Sequence, residues 1–250
     1  MLTIYHLVLE VTRKCNMRCS HCMRGNPQRL TMSRDVLWHT LKDVSSISTI
    51  TFTGGEPSLA PQVLEDAMDI IRDCRIELGG FDIVTNGKTR NGFQRFLKVC
   101  DRLYEWSDEK ESCGLVVSRD QFHKREMPQL NLSKFMGRAE DYDGGYEFER
   151  EYFHPTDRDR PIERVINDGR AEELQLGGRD PEQQSPWLIR TWHDEDNPHV
   201  TEDVVYVAAN GNVVSNCDMS FKRIDRESRG NVLEKPLKDI ILSYCKKEEE

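Results

Sequence analysis

The sequence predicts an α/β protein, built as a partial (β/α)6 barrel of the TIM type and capped by a small C-terminal β-hairpin and helix. Short apolar runs rich in β-branched residues alternate with amphipathic helical patterns through residues 5–118, which is typical of βαβ units and a parallel sheet. Glycine or polar residues follow each of the first four predicted strands. The carboxyl ends of parallel strands meet at one edge of such a fold, where functional groups collect.

The first half of the chain is predicted to contain four strands and three helices. The strands are the apolar runs 5–11, 48–53, 81–85 and 115–118. Apolar residues recur at helical spacing in the three intervening segments 37–44, 64–71 and 93–104. Ser33 is expected to cap the first helix, and Pro61 suits the opening turn of the second. Each helix is therefore expected to connect two neighbouring parallel strands.

The second half gives a weaker pattern until the last fifth of the chain. Residues 162–166 are expected to form a fifth strand. The charged segment 140–203 is expected to be an insertion, a lid or an irregular part of the barrel. Two apolar runs then flank Asn210 and Gly211, a dipeptide that strongly favours a β-hairpin. An amphipathic helix is expected to follow the hairpin.

The composition limits the classes of function that the chain can serve. The 250 residues carry a formal net charge of −9, which argues against broad binding to the phosphate backbone of nucleic acids. No apolar run is long enough to span a membrane, and the N-terminus lacks the features of a signal peptide. We therefore expect a cytoplasmic protein with neither a nucleic-acid nor a membrane partner. Its eight cysteines are then expected to be ligands or free thiols rather than disulfides.

Three cysteines directly after the first predicted strand form the most informative motif. Cys15, Cys19 and Cys22 lie at positions i, i+4 and i+7, a spacing that lets a short loop aim three sulfurs at one point. Three thiolates are one short of a closed four-ligand site, and in a [4Fe–4S] cluster they leave one iron open. A structural zinc site that takes its fourth ligand from a distant residue is the alternative. His21 is a poor fourth ligand because it directly precedes Cys22.

A second motif, Gly54-Gly55-Glu56-Pro57, follows the second predicted strand. Together with the cysteine loop it resembles the two signatures of the radical S-adenosylmethionine (radical SAM) family, and the resemblance covers residues 5–120. It implies that the cysteines hold a [4Fe–4S] cluster whose open iron binds the amino and carboxylate groups of SAM. It further implies that the reduced cluster cleaves SAM to a 5′-deoxyadenosyl radical, which removes a hydrogen atom from a substrate.

The same resemblance implies which residues contact SAM. The expected SAM-binding residues are His21, Gly54, Gly55, Glu56, Pro57, Thr85, Asn86, Ser118 and Arg170. Arg170 resembles an arginine that pairs with the SAM carboxylate. The tetrapeptide Gly-Arg-Ala-Glu occurs twice, and we prefer Arg170 to Arg138 because the first copy, around Arg138, lies in a helix-like pattern.

The C-terminal segment resembles the SPASM or twitch extension of several radical SAM subfamilies. We therefore expect a second domain over residues 201–250, after a partial barrel over residues 1–200. That extension normally carries a run of cysteines for an auxiliary cluster, but only Cys217 and Cys245 occur beyond Cys113. We expect the extension to lack an auxiliary cluster and to serve as a substrate-binding cap.

Three further residues are candidates for catalysis. Cys217 resembles the cysteine that donates a hydrogen atom to a substrate radical in peptide epimerases of this family, and the alternative is an ordinary buried thiol. Asp120 and His123 are spaced to share one face of a helix after the fourth strand. They are candidates for acid–base chemistry, and the alternative is a solvated helix face.

The expected function is therefore that of a radical SAM enzyme. The C-terminal resemblance favours a peptide substrate, and a small molecule or a nucleotide-like substrate is the enzymatic alternative. From another class, the chain could be a metal-binding or SAM-binding protein without turnover. A reductant such as flavodoxin or ferredoxin is the expected protein partner of the enzyme.

Overall fold

A mostly parallel β-sheet forms the centre of the protein. The computed structural model describes residues 1–88, 93–127, 141–142, 145–146, 152–156, 159–190 and 198–247. Its alternating strands and helices confirm the predicted α/β class. Arg138 and parts of the charged segment 140–203 lie outside the described residues.

The described residues form eleven strands, seven α-helices and three short 3₁₀-helices. The strands are β1 (Leu2–Thr12), β2 (Val44–Gly54), β3 (Glu77–Thr85), β4 (Gly114–Ser118), β5 (Asp141–Tyr142), β6 (Gly145–Tyr146), β7 (Phe153–Thr156), β8 (Trp187–Arg190), β9 (His199–Val207), β10 (Val213–Val214) and β11 (Cys245–Lys247). The α-helices are α1 (Arg34–Leu41), α2 (Pro61–Cys74), α3 (Phe93–Trp106), α4 (Gln121–Glu126), α5 (Gly169–Glu173), α6 (Phe221–Arg226) and α7 (Leu237–Ser243). The 3₁₀-helices are Pro57–Leu59, Lys110–Ser112 and Ile162–Arg164. Among these helices, none combines the length and the apolar character that a bilayer crossing requires.

Six parallel strands form the partial barrel that the sequence predicts. In sheet order they are β9, β1, β2, β3, β4 and β7. Beyond β9, the sheet continues with the antiparallel strand β8 and then with β11, which is parallel to β8. The edge strands β7 and β11 are not paired with each other in the part of the chain that the structure describes, so the barrel is open.

Helices α1, α2 and α3 share one hydrophobic core with the sheet. Ser33 caps α1, because its Oγ accepts a hydrogen bond from Val36 N at 3.2 Å. Arg75 ends α2 in the left-handed conformation, with φ of 56°. The apolar face predicted for α2 is buried, at Leu64, Ala67, Met68 and Ile71. Each such aliphatic side chain stabilises the fold by about 1.5–3 kcal/mol, which holds the strand ends of the sheet in a fixed frame.

The fifth parallel strand is β7, and the prediction of a strand over 162–166 is wrong. Pro161 begins a 3₁₀-helix at this point, so that Ile162 is exposed and Val165 is buried, a spacing of three rather than the alternation of a strand. The real strand contains Pro155, a residue that argues against a strand in sequence analysis. Proline is tolerated here because β7 lies at the edge of the sheet.

The predicted hairpin after residue 203 is present, but its first strand belongs to the main sheet. Val213 pairs with Val207 across the hairpin, whose turn contains Gly211 at φ of 88°. Tyr206 pairs in parallel with Val8 of β1. The predicted domain boundary at residues 200/201 thus falls inside β9. The division into two domains, and the likeness of the C-terminal part to a SPASM extension, stay predictions.

Candidate cluster and cofactor site

The carboxyl ends of β1 to β4 open into one cleft. Its wall combines the cysteine loop after β1 with residues at the ends of β2, β3 and β4. The predicted site residues that line it are Cys15, Cys19, His21, Cys22, Gly54, Gly55, Thr85, Asn86, Ser118, His123 and Arg170. The convergence of strand ends, which the βαβ pattern predicts, therefore brings most of the candidate residues together.

The loop that carries the three cysteines is held at both ends by backbone hydrogen bonds. Arg13 N donates to Leu30 O at 3.0 Å, at the base of the loop. Within the loop, Cys22 N donates to Cys19 O at 3.2 Å. From outside the loop, Arg170 N at the start of α5 donates to Cys22 O at 3.0 Å. The thiols are thus presented by a backbone that is fixed before any ligand binds.

The chemistry of the three thiols fits a cluster of several irons. Burial raises the pKa of Cys15 to about 11 and that of Cys19 to about 12, so both need a bound cation to ionise at neutral pH. A closed zinc site requires four ligands, whereas three thiolates suffice to hold a [4Fe–4S] cluster with one iron open. The three cysteines of this loop therefore match such a cluster better than the zinc alternative.

Asn86 connects the end of β3 to the cysteine loop. Its Nδ2 donates to Asn16 Oδ1 at 3.0 Å and lies 3.6 Å from Cys15 Sγ. Asn16 in turn donates from Nδ2 to Lys88 O at 2.8 Å. Hydrogen bonds to a ligating sulfur tune the potential of an iron–sulfur cluster. Asn86 can therefore orient Cys15 as well as contact a cofactor.

Gly54 and Gly55 are required by backbone packing rather than by ligand contact alone. A Cβ on Gly54 would lie 2.1 Å from Thr12 O, and one on Gly55 would lie 2.3 Å from Lys14 O. Gly54 also has φ of 129°, in the region that favours glycine. The end of β2 can therefore pack directly on the start of the cysteine loop, which seats the two motifs against each other.

Glu56 is fully buried and does not line the cleft. Its Oε1 accepts from Thr85 Oγ1 at 2.6 Å and from Ser58 N at 3.0 Å, and its Oε2 accepts from Asn86 N at 2.8 Å. Burial raises the pKa of Glu56, against the effect of these hydrogen bonds. The carboxylate therefore fixes the end of β3 against the turn after β2. A direct contact of Glu56 with SAM stays a prediction.

Replacing Glu56 by alanine is expected to lower the free energy of unfolding by about 3–5 kcal/mol, because it leaves several buried donors without an acceptor. Chemical unfolding of the two proteins measures the difference. Asp66→Ala is the matched control, since Asp66 pairs with Arg34 on the surface and is expected to contribute about 1 kcal/mol or less. A Glu56→Ala protein as stable as the wild type would show that the carboxylate does not position the loop.

A cluster of rings and one carboxylate forms the wall of the cleft beside Cys22. His21 stacks on Phe122 with ring centroids 4.3 Å apart, and Asp120 accepts from Nδ1 of His123 at 2.7 Å. Asp120 also caps α4 by accepting from the backbone N–H groups of Phe122 and His123. The predicted pair thus meets at the start of α4, where His123 lines the cleft and Asp120 supports it without being part of the lining.

The electrostatics of this cluster set its charge states. Burial lowers the pKa of His21 to about 4, although the Asp120 carboxylate lies nearby, so its ring is neutral at physiological pH. Burial alone would raise the pKa of Asp120, but the hydrogen bond from His123 holds it well below its usual range. The ligand atoms of these three residues lie within 4.8 Å of one another. Arg160 Nε lies 3.8 Å from the same carboxylate, which opposes a further cation there.

Arg170 reaches the cleft because α5 packs tightly on the cysteine loop. Gly169 precedes it at φ of 57°, and a Cβ on Gly169 would lie 2.3 Å from Met23 O. The Asp168 side chain caps the helix by accepting from Gly169 N at 2.8 Å. Arg170 thereby lines the same cleft as Ser118 of β4.

Two further candidates lie outside the cleft lining. Pro57 is buried in the 3₁₀-helix that follows Glu56, where it shapes the turn. Cys217 is half-buried and packs near Tyr206 and Met219. Burial raises the pKa of its thiol, and the neighbouring carboxylate of Asp218 acts in the same direction. Roles for Pro57 at SAM and for Cys217 in hydrogen transfer stay predictions.

Sequence analysis missed a buried ion-pair network beside the cysteine loop. Glu10 and Arg13 are 0% and 1% exposed, and Arg13 Nε donates to Glu10 Oε1 at 2.6 Å. The guanidinium also binds both carboxylate oxygens of Asp225 in α6, each at 2.7 Å. Tyr206 OH donates to Glu10 Oε2 at 2.7 Å. A glutamate inside an apolar strand was the available signal, because a buried charge requires a partner.

Comparisons with known proteins match the first part of the chain to a family. Residues 9–105 match the model of the Radical SAM superfamily. An uncharacterised protein of Methanocaldococcus jannaschii is 30% identical over 107 residues, which cover 40% of this chain and 35% of that protein. A GTP 3′,8-cyclase of Chlorobaculum tepidum is 34% identical over 68 residues, which cover 25% of this chain and 20% of the enzyme. The matched regions thus span between a fifth and about a third of the length of these relatives.

The solved structure of native anSMEcpe with bound AdoMet and a Cp18Cys peptide is similar at a TM-score of 0.43 and 13% identity, covering 97% of this chain and 82% of that one. A likeness of this size carries no argument about activity. The two sequence signatures lie within or beside the segment that matches the family. Over residues 9–105 the chain is thus similar to the Radical SAM superfamily, whose cofactors are a [4Fe–4S] cluster and SAM.

Proposed function

We propose that the protein is a radical SAM enzyme that holds its [4Fe–4S] cluster through Cys15, Cys19 and Cys22. When bound, the reduced cluster supplies the electron that cleaves SAM to methionine and a 5′-deoxyadenosyl radical, which removes a hydrogen atom from the substrate. The observation that carries the proposal is the single cleft in which three thiols meet the residues at the ends of β2, β3 and β4. A zinc site would not need the strand-end residues that share this cleft.

Several residues of the cleft have different roles in binding SAM. Gly54 and Gly55 present their backbone beside the cysteine loop, and Glu56 keeps that turn fixed from behind. Arg170 provides the cation for the SAM carboxylate, and Ser118 provides a hydroxyl in the same cleft. These assignments rest on the position of each residue in the cleft and on the family motif.

The neutral ring of His21 supplies an aromatic edge to the same cleft. Phe122 stacks on this ring, and His21 Nδ1 is buried with no hydrogen-bond partner among the residues that the structure describes. An unpartnered ring nitrogen is expected to find a donor or an acceptor when a ligand binds. The adenine of SAM offers both kinds of group, which supports placing it beside His21.

The substrate is proposed to be a peptide, on the resemblance of the C-terminal hairpin and helix to a SPASM-like cap. A small molecule or nucleotide-like substrate is the second candidate, and the similarity to GTP 3′,8-cyclases over part of the barrel favours it. The partner is proposed to be a flavodoxin or ferredoxin that reduces the cluster, in the cytoplasm. A SAM-binding protein without turnover is the candidate from another class.

Electron paramagnetic resonance of the reconstituted, reduced protein tests the proposal. Anaerobic reconstitution is expected to give a brown protein with about four irons per chain, whose reduced signal changes when SAM is added. The change is expected because SAM fills the iron position that the three cysteines leave open. A colourless zinc protein, or an iron protein whose signal is indifferent to SAM, would contradict the proposal.

A further inference from the structure

A second buried arginine lies beside the cluster loop, and no carboxylate in the described part of the chain is hydrogen-bonded to it. Arg24 is 7% exposed and lines the cleft. Within the part of the chain that the structure describes, its side chain makes one hydrogen bond, from Nη1 to Met219 O at 2.8 Å. Its guanidinium also stacks over the Tyr206 ring at 5.1 Å. Neither partner carries the negative charge that a buried guanidinium requires.

The other buried arginine of this region shows how the protein pairs such a charge. Arg13 binds the carboxylates of Glu10 and Asp225 through three nitrogen–oxygen contacts of 2.6–2.7 Å. Glu10, one of those carboxylates, lies close enough to Arg24 to favour its charged form. Its oxygens, however, already accept from Arg13, Tyr206 and Ala209. No described carboxylate caps Arg24, whose remaining donors are left for a ligand in the cleft.

We propose that Arg24 binds an oxyanion of the substrate, a carboxylate or a phosphate group. This assignment rests on the proposed function. It adds that the substrate of the radical SAM enzyme carries a negatively charged group. A guanidinium matches the planar fork of both oxyanions. Arg170 is the cleft cation assigned to the SAM carboxylate, so Arg24 is free for a second anion. The burial of Arg24 excludes water from that contact and strengthens it.

The test uses inorganic phosphate and acetate as probes and reads the melting temperature of the reconstituted protein. Each probe is compared with chloride at constant ionic strength, with and without saturating SAM. The proteins are the wild type, Arg24→Met, Arg24→Lys, and Arg18→Met as the control for an exposed cation of the same cleft. An anion that binds only the folded protein raises its Tm, and salting effects on all four proteins cancel in the comparison.

We expect phosphate or acetate to raise the Tm of the wild type and of Arg18→Met by roughly 2–4 °C more than that of Arg24→Met. The difference should persist with SAM bound, and Arg24→Lys should keep part of it. A larger effect of phosphate indicates a phosphorylated substrate, and an equal or larger effect of acetate indicates a carboxylate. In chloride, Arg24→Met should be at least as stable as the wild type, because it removes an unpaired buried charge.

Three results would overturn the assignment. Equal anion effects in the wild type and Arg24→Met would show that Arg24 holds no anion. A lower Tm of Arg24→Met in chloride would show that the arginine is structural. An anion effect that disappears with SAM, together with weaker SAM binding by Arg24→Met, would assign Arg24 to SAM instead. All readouts are independent of SAM cleavage, so a failure of the proposed function is distinguished from a failure of this assignment.

Discussion

Replacing any one of Cys15, Cys19 and Cys22 by serine is expected to abolish both cluster binding and SAM cleavage. Each of the three sulfurs would ligate the cluster, and the loop offers no fourth cysteine that could replace a missing one. The iron content after anaerobic reconstitution should fall from about four per chain to background. Formation of 5′-deoxyadenosine should fall to the level of a reaction without protein. Iron analysis and mass spectrometry measure the two quantities.

Cys74→Ser is the matched control for these variants. Cys74 ends α2 and packs partly buried against the hydrophobic core, away from the residues that line the cleft. Its replacement should leave the iron content and the SAM cleavage of the wild type. A Cys15→Ser protein with a full complement of iron would contradict the assignment of the ligands, as would a Cys74→Ser protein that loses its iron.

Gly54→Ala is expected to have the second large effect, on both stability and SAM affinity. The new Cβ would meet Thr12 O, and the backbone would be held at a φ of 129° that alanine rarely adopts. Strain and overpacking together are expected to cost about 2–5 kcal/mol. Because the clash pushes the turn away from the cysteine loop, SAM binding should weaken as well. Chemical unfolding and calorimetric titration with SAM measure the two effects.

Two other glycine variants separate the steric clash from the backbone strain as causes of the expected loss of stability. Gly55→Ala meets Lys14 O at 2.3 Å without a left-handed φ, and is expected to cost about 1–3 kcal/mol. Gly25→Ala has φ of 90° but its Cβ would come no closer than 3.8 Å to a neighbour, so only the strain remains, about 1–2 kcal/mol. If Gly54→Ala proved no less stable than Gly25→Ala, the close approach of the two motifs would not be a constraint.

The sequence predicts where the site lies in the fold better than it predicts the role of each side chain in the site. The alternation of strands and helices places Asn86 and Ser118 at one sheet edge with the cysteines, and the structure confirms that placement. Periodicity does not show which way a side chain at a strand end turns. The sequence motif therefore predicts that Glu56 contacts SAM, whereas its carboxylate accepts hydrogen bonds from Thr85 and Asn86 inside the protein.

Other features depend on contacts between distant parts of the chain, which no local pattern reports. Arg13 meets Asp225 across most of the sequence, and Arg24 is buried against strand β9, so neither could be recognised as a buried charge beforehand. Sequence patterns do not predict the strand at Phe153–Thr156, because it contains a proline, which is acceptable in a strand only at a sheet edge. The apolar run at 162–166 favours a strand in the sequence, but a run this short does not distinguish a strand from a helical segment.

The measurement that tests the central claim most directly is the release of 5′-deoxyadenosine. Reconstituted wild-type protein is mixed anaerobically with dithionite and SAM, beside the Cys15→Ser protein prepared in the same way, and the products are quantified by mass spectrometry. We expect the wild type to release 5′-deoxyadenosine and methionine in equal amounts, and the Cys15→Ser protein to release neither. A wild-type protein that carries its cluster and still leaves SAM intact would contradict this expectation.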